Sequence, residues 1–391
     1  MVTALPGREP LLRALVDICG PDFARQAGAA DMVAGHLASF VAAPPTPRAV
    51  MDTLRLATER GLAVVPRGRG SKIDWGTPPR GLDLLLDTGR LDGIWDHRPE
   101  EFTAQVGTGT PVRAVQAALA LRGQRLAVDP PSPTATIGGM LAVNESGPLR
   151  HRYGSPAAQV DRISYVDGAG GQAESDGENG NPGIAEVTGV IVSASFRLQS
   201  LPAARRWVIL PVSTPLQVHD LVAATLAQQV KPSAIEVDLP IPGGGRAATQ
   251  PSGALAVLLE GAQADATARA RQLATVLGET ATISPTAPRW WGRYPVGRAD
   301  VALRIAVPIA DLHAAVYALR DAAGMAVPVR GSVGMGTVHA VLPGTLPPER
   351  IEGILDAVRG VLLARGGRCV VIAAPPPIST TVAMASRRDL F

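Results

Sequence analysis

Two glycine-rich bends, each close behind an apolar run, constrain this chain more than any other feature of its sequence. The first is Pro66-Arg67-Gly68-Arg69-Gly70-Ser71-Lys72, directly after the run Leu62 to Val65, which reads as a buried strand. Glycines there permit positive φ and let consecutive backbone N–H groups face one point, a concavity suited to a pyrophosphate. The second lies about sixty residues on, in Pro130-Pro131-Ser132-Pro133-Thr134-Ala135-Thr136-Ile137-Gly138-Gly139, and is followed by Asn144, Ser146 and Gly147. Small side chains and hydroxyls in that stretch let a planar ring approach the backbone. Arg150-His151-Arg152-Tyr153-Gly154 adds cations and an aromatic near the same loop edge, or forms an ordinary solvated loop. The G-x-G-x-x-G helix opening of nicotinamide enzymes is missing, because Gly68 and Gly70 run on into Lys72 and Trp75.

Around these bends the pattern alternates helix and strand. A stripe of Leu11, Leu12, Leu15, Val16 and Cys19 ends at Gly20, and a helix opened by Thr46 and Pro47 stops at Gly61. Strands are expected at Leu82 to Leu86, at the alternating Phe102, Ala104 and Val106, at Arg162 to Val166 and at Val190 to Leu198, with a second capped helix from Thr110 and Pro111. Leu201 and Pro202 mark a domain boundary, giving expected domains of 1–204 and 205–391. Beyond residue 205 the order strand, capped helix, strand, strand, helix, strand occurs twice, which predicts two ferredoxin-like units. The separator Arg289 to Arg298 carries Trp290, Trp291 and Tyr294, as an aromatic anchor for a linker or as a substrate lid.

Composition narrows the partners. With 46% hydrophobic and 18% charged residues the chain is apolar enough for two cores, and a net charge of +3 spread over single arginines excludes a nucleic-acid patch. Cys19 and Cys369 are too far apart in sequence to suggest a disulfide framework or a thiolate metal cluster, so a reducing, cytoplasmic setting and no metal are expected. Neither a signal peptide nor a membrane span is expected.

The order strand, P-R-G-x-G-S-K, then D-P-P with T-x-G-G, N-x-S-G and R-Y-G-S resembles the FAD-binding domain of the vanillyl-alcohol oxidase superfamily, and more narrowly the E subunit of bacterial glycolate oxidase. Residues 30 to 376 are covered. The resemblance implies an α+β (α/β) chain: a PCMH-type two-subdomain FAD-binding fold followed by ferredoxin-like units. It further implies that Pro66, Arg67, Gly68, Arg69, Gly70, Ser71 and Lys72, with Pro131, Thr134, Thr136, Ile137, Gly138 and Gly139, bind FAD, Gly68 to Ser71 and Thr136 to Gly139 at its pyrophosphate. Asn144, Ser146, Gly147, Tyr153 and Gly154 would lie near the flavin, and Gly189, Val190 and Ile191 at the adenine. The activity implied is oxidation of a hydroxy acid or alcohol by hydride transfer to non-covalent FAD, since no His or Cys stands beside the bends. The alternative is a catalytically passive FAD-binding or cofactor-free subunit of a hydroxy-acid dehydrogenase complex, with a catalytic flavoprotein subunit and an iron–sulfur subunit as partners.

The chain also departs from that family. Arg69 replaces a third glycine, the connection from Gly168 to Gly183 is short, and Ser332 to His339 keeps only the last histidine of a histidine-rich pattern in the catalytic subunits, so His339 reads as structural. Arg304 reads either as an orienting group for an anionic substrate or as a strand-edge arginine. The chain ends at Phe391, sixteen residues after Pro375, and a looser cofactor site is expected there.

Overall fold

The computed structural model of the chain describes residues 8–176, 187–241, 253–386 and 389–391. Helix α1 (Arg8–Cys19) buries Leu11, Leu15 and Cys19 against Phe40, Ala42 and Leu84. Helix α2 (Pro47–Glu59) begins as its sequence dictates: Pro47 takes the first turn, where its missing N–H costs nothing, and the Thr46 hydroxyl accepts from the Ala49 amide at 3.1 Å. Both helices pack on a four-stranded sheet in the order Ala24–Gln26, Phe40–Ala42, Leu84–Asp87, Val64–Arg67, of which the last three run parallel. The Val64–Arg67 strand delivers the first glycine bend at its carboxyl end, where open α/β sheets place ligands.

A second, antiparallel sheet follows in the order Gln172–Asp176, Val160–Asp167, Gly189–Arg197, Thr103–Gly107, Ile94–Arg98. Helix α3 (Val112–Ala120) covers it, yet Thr110 does not cap this helix: Pro111 holds the cap position and the Thr110 hydroxyl donates to the Gly107 carbonyl at 2.6 Å. Helix α4 (Ile137–Val143) occupies what reads in the sequence as a proline- and glycine-rich loop. Ile137, Met140 and Leu141 are fully buried in the core under this sheet, and apolar side chains of that size contribute about 2 kcal/mol each on burial. That outweighs the roughly 1 kcal/mol cost of each glycine inside a helix. Of the short connection expected at 168–183, Gly168 to Asp176 turns into the Gln172–Asp176 strand, and residues 177–183 lie outside the described residues.

The two ferredoxin-like passes fuse into one eight-stranded sheet. Its order is Thr282–Ser284, Ala204–Val212, Gly253–Gly261, Ala234–Leu239, Val329–Ser332, Thr337–Pro343, Asp300–Ala306, Arg368–Ala373. The passes join where Val237 pairs with Gly331, antiparallel, so one pass removes the edge of the other. Helices Pro215–Leu226, Gln263–Leu277, Leu312–Ala323 and Pro348–Leu363 bury their apolar stripes on one face. The opposite face meets the glycine bends: Val143 packs with Ala302 and Ile372, and Leu149 with Trp207, Ala234 and Leu258. No described helix is long and apolar enough to cross a membrane.

Candidate functional site

The two bends touch. A Cβ on Gly68 would collide with the Thr136 hydroxyl, so glycine is required there by contact rather than by φ. In the first bend the amides of Gly68, Arg69, Gly70 and Ser71 reach no acceptor among the described residues. Arg69 is exposed and has no positive φ, so its side chain neither strains nor blocks the turn, while Gly70 takes φ +70. Pro66 is exposed, and Arg67 turns away to ion-pair with Asp31 and Asp87 at 3.1 and 3.0 Å. These amides are left free to donate to an anion.

The second bend differs. Ile137 and Gly138 donate to the carbonyls of Thr110 and Thr108 at 2.9 and 2.8 Å, and Gly139 donates to the Thr136 hydroxyl at 3.2 Å as the α4 N-cap bond. Its amides thus secure α4 and its small residues supply shape. Thr108, which the sequence reading passed over, ties this bend to the expected adenine side, its hydroxyl donating to the Ile191 carbonyl at 2.8 Å. Glycines flanking it in Gly107-Thr108-Gly109 are the signal that marks it. Gly189, Val190 and Ile191 sit in the Gly189–Arg197 strand, and a Cβ on Gly189 would strike the Val166 carbonyl.

Lys72 and the 131–147 segment close the remaining space. The Lys72 ammonium donates to the Ser132 hydroxyl and, at 2.8 Å, to Glu145 Oε1, which also accepts from the Ser132 amide and the Tyr294 hydroxyl, each at 3.0 Å. The rings of Trp75 and Tyr294 lie 4.4 and 4.5 Å from the ammonium and that of Phe391 at 5.9 Å. Desolvation lowers the Lys72 pKa and raises that of Tyr294. Neither Glu145 nor Tyr294 stands out in the sequence as a partner of the bends. Asn144, at φ +53, ends α4 and accepts from the Ala157 amide at 3.1 Å; Ser146 donates to the Asn144 carbonyl at 3.0 Å; Gly147 rests on the Asp129 carbonyl. Tyr153 lies elsewhere, between Arg125 and Glu260 at 2.9 and 3.3 Å, with Gly154 ending its turn at φ +79. Thr134 is exposed on the bend.

Between Pro131, Ser146 and Gly147 on one side and the C-terminal sheet on the other is a cavity of about 40 Å³. Arg150, Arg304, Arg330, Glu236, His339 and Tyr294 line it. Arg330 is paired with Asp238 at 2.8 Å, whereas Arg150 and Arg304 form no salt bridge among the described residues and the buried Nε of Arg304 has no partner. Burial, then the nearby Arg150 charge, lowers Arg304 to about 10. His339 is the cross-strand neighbour of Arg304 and meets the Tyr294 ring edge-on at 4.9 Å. Burial first, then the charges of Arg304 and Lys72, push it down to about 3, so its imidazole is neutral at pH 7. Glu236, bonded to the Ser332 hydroxyl, is pushed up to about 8 by burial and stays protonated.

Residues 38–175 match the family described as FAD binding domain. That stretch is similar to an FAD-binding domain and includes both glycine bends. The Escherichia coli (strain K12) glycolate oxidase subunit GlcE is 32% identical over 133 residues, 34% of this chain and 37% of that protein. The D-2-hydroxyglutarate dehydrogenase of Xanthomonas citri pv. viticola is 26% identical over 200 residues, 48% of this chain and 42% of that protein. The chain therefore spans less than half the length of these curated relatives. Among solved structures, substrate-bound p-cresol methylhydroxylase superposes with a TM-score of 0.71 at 13% identity, covering 99% of this chain and 91% of that one. At that identity the likeness shows a shared fold.

The described residues fit FAD at one end of the domain and not at the other. The free amides of Gly68 to Ser71 suit a diphosphate. The segment expected beside the flavin is filled by Lys72, Glu145 and Tyr294, and a 40 Å³ cavity admits a water and not a three-ring system.

Proposed function

We propose that the chain is the flavin-holding unit of an oxidoreductase that oxidises a small hydroxy acid, with the acid's carboxylate bound by Arg150 and Arg304. The observation that carries this reading is the pair of unmatched guanidiniums in one cavity beside the FAD-binding domain. Half-buried cations without carboxylate partners are only partly compensated for desolvation until an anion arrives, and a guanidinium fork matches a carboxylate. In this reading Gly68 to Ser71 hold the FAD diphosphate, and bound FAD supplies a two-electron acceptor. Arg150 and Arg304 orient the acid, neutral His339 offers Nε2, which has no partner among the described residues, as a hydrogen-bond acceptor for its hydroxyl, and protonated Glu236 remains a hydrogen-bond donor at pH 7. The relatives named as acting on glycolate and D-2-hydroxyglutarate support a hydroxy acid. The designation of one of them as a subunit supports assembly with a partner protein.

Titration of the purified chain with FAD, followed by gel filtration, measures retained flavin, and anaerobic addition of short 2-hydroxy acids measures its bleaching. Retention with bleaching is expected, with Arg304→Met raising the KM for an acid about tenfold or more and leaving a neutral alcohol unaffected. A chain that takes up FAD and is never bleached by any hydroxy acid, or an Arg304→Met variant with unchanged KM, refutes the assignment.

A further inference from the structure

Arg304 borders two spaces. On one side is the cavity of about 40 Å³, which Thr337 and His339 also line; on the other is an open recess of about 640 Å³ over Ala306 and Val370. These residues lie on three neighbouring strands of the eight-stranded sheet, with Arg304 on the middle one, paired to His339 on one side and to Val370 on the other. Besides Arg304, the side chains that border both spaces are Met335 and Phe391, so these two form the partition. The small cavity has no room for an alkyl chain beside a bound carboxylate, whereas the recess is large enough for a chain of several carbons.

Phe391 is held in the partition by its surroundings. Its ring lies nearly parallel to that of Trp75, at 6.1 Å and 10°, and 6.5 Å from that of Tyr294. The preceding Leu390 is fully buried among Val143, Ala302 and Ile372. Swinging the phenyl ring out of the partition uncovers the aromatic surface of Trp75 and Tyr294, which opposes the motion. The partition is therefore a fixed wall, and the nature of its side chains decides how much of the recess a molecule on Arg304 can use.

We propose that Phe391 is a specificity-determining residue that limits the chain length of the acid: its ring closes the Arg304 cavity against the recess, so that an acid with a short carbon chain is accepted and one with an alkyl tail is refused. This rests on the carboxylate site proposed above. Equilibrium dialysis of the full chain against glycolate and 2-hydroxyoctanoate tests it. The parent should bind glycolate saturably and 2-hydroxyoctanoate at least about tenfold more weakly. Phe391→Ala should reverse the order, because each methylene laid against the recess wall is worth about fourfold in affinity. Met335→Ala thins the partition from its other member and should shift the order in the same direction, which keeps the test decisive if circular dichroism shows that Phe391→Ala disturbs the fold. A readout without any acid is modification by butane-2,3-dione, followed by peptide mass: Arg304 should react severalfold faster in Phe391→Ala, and the exposed Arg368 equally in both proteins. Equal affinity for the two acids in the parent, an order that neither variant alters, or an Arg304 no more reactive in Phe391→Ala each overturns the proposal. Absence of glycolate binding in the parent refutes the carboxylate site and the proposal together, whereas saturable glycolate binding with an unaltered order refutes the proposal alone.

Discussion

Glu145→Gln removes the charge that faces Lys72 while keeping an acceptor for the Ser132 amide and the Tyr294 hydroxyl. Lys72 and Glu145 have side-chain exposures of 7% and 1% and lie 2.8 Å apart. At an effective dielectric of about 20, charges that close attract by about 6 kcal/mol. Withdrawing each ion from water costs several kcal/mol, so the intact pair adds little net stability. With Glu145 neutral, the Lys72 ammonium keeps its desolvation cost and loses its carboxylate; breaking such a pair costs about 3–5 kcal/mol. The rings of Trp75 and Tyr294 face the ammonium in the parent and in the variant alike, so the expected loss stays at about 3–5 kcal/mol. Lys72→Met alone, which strands the carboxylate, should cost a similar amount, and the double variant should lie within about 1–2 kcal/mol of the parent. Urea unfolding of the four proteins, followed by tryptophan fluorescence and circular dichroism, gives the coupling energy. Single losses below about 1 kcal/mol that simply add in the double variant would refute a buried, charge-coupled pair.

Two further outcomes follow from the same interior. Glu236 and Asp129, both raised to about 8 chiefly by burial, hold protons that the unfolded chain releases at about pH 4. The stability they confer is complete below about pH 4 and is lost as pH climbs through 8, so the thermal midpoint should fall between about pH 6.5 and pH 8.5 and Glu236→Gln should flatten the fall; a level midpoint in the parent contradicts this. His339, lowered to about 3, has the opposite sign and adds stability as pH rises to about 6.5, below that window. Arg69 is exposed and adopts no positive φ, so Arg69→Gly should leave FAD binding equal or weaker by flavin titration; a tighter complex would show that the side chain obstructs the bend.

Local chemistry made much of this fold legible in the residues. Thr46-Pro47 and Thr214-Pro215 cap their helices with bonds made three residues away, and the twofold strand and helix order after residue 205 needs only periodicity to be read. The first bend is legible for the same reason, since its free amides follow from glycines next to a strand end. Helix α4 was hidden because its stability comes from Ile137, Met140 and Leu141 entering a core built by other segments, against the propensity of its own glycines. Hidden too was the closure of the flavin end. Lys72 meets Glu145 across 73 residues and Glu145 meets Tyr294 across 149, and an ion pair of that separation forms only when folding excludes water from around it. The fusion of the two ferredoxin-like units through Val237 and Gly331, and the arginine cavity that lies against that fused sheet, likewise depend on strand pairing between distant segments, which no local pattern encodes.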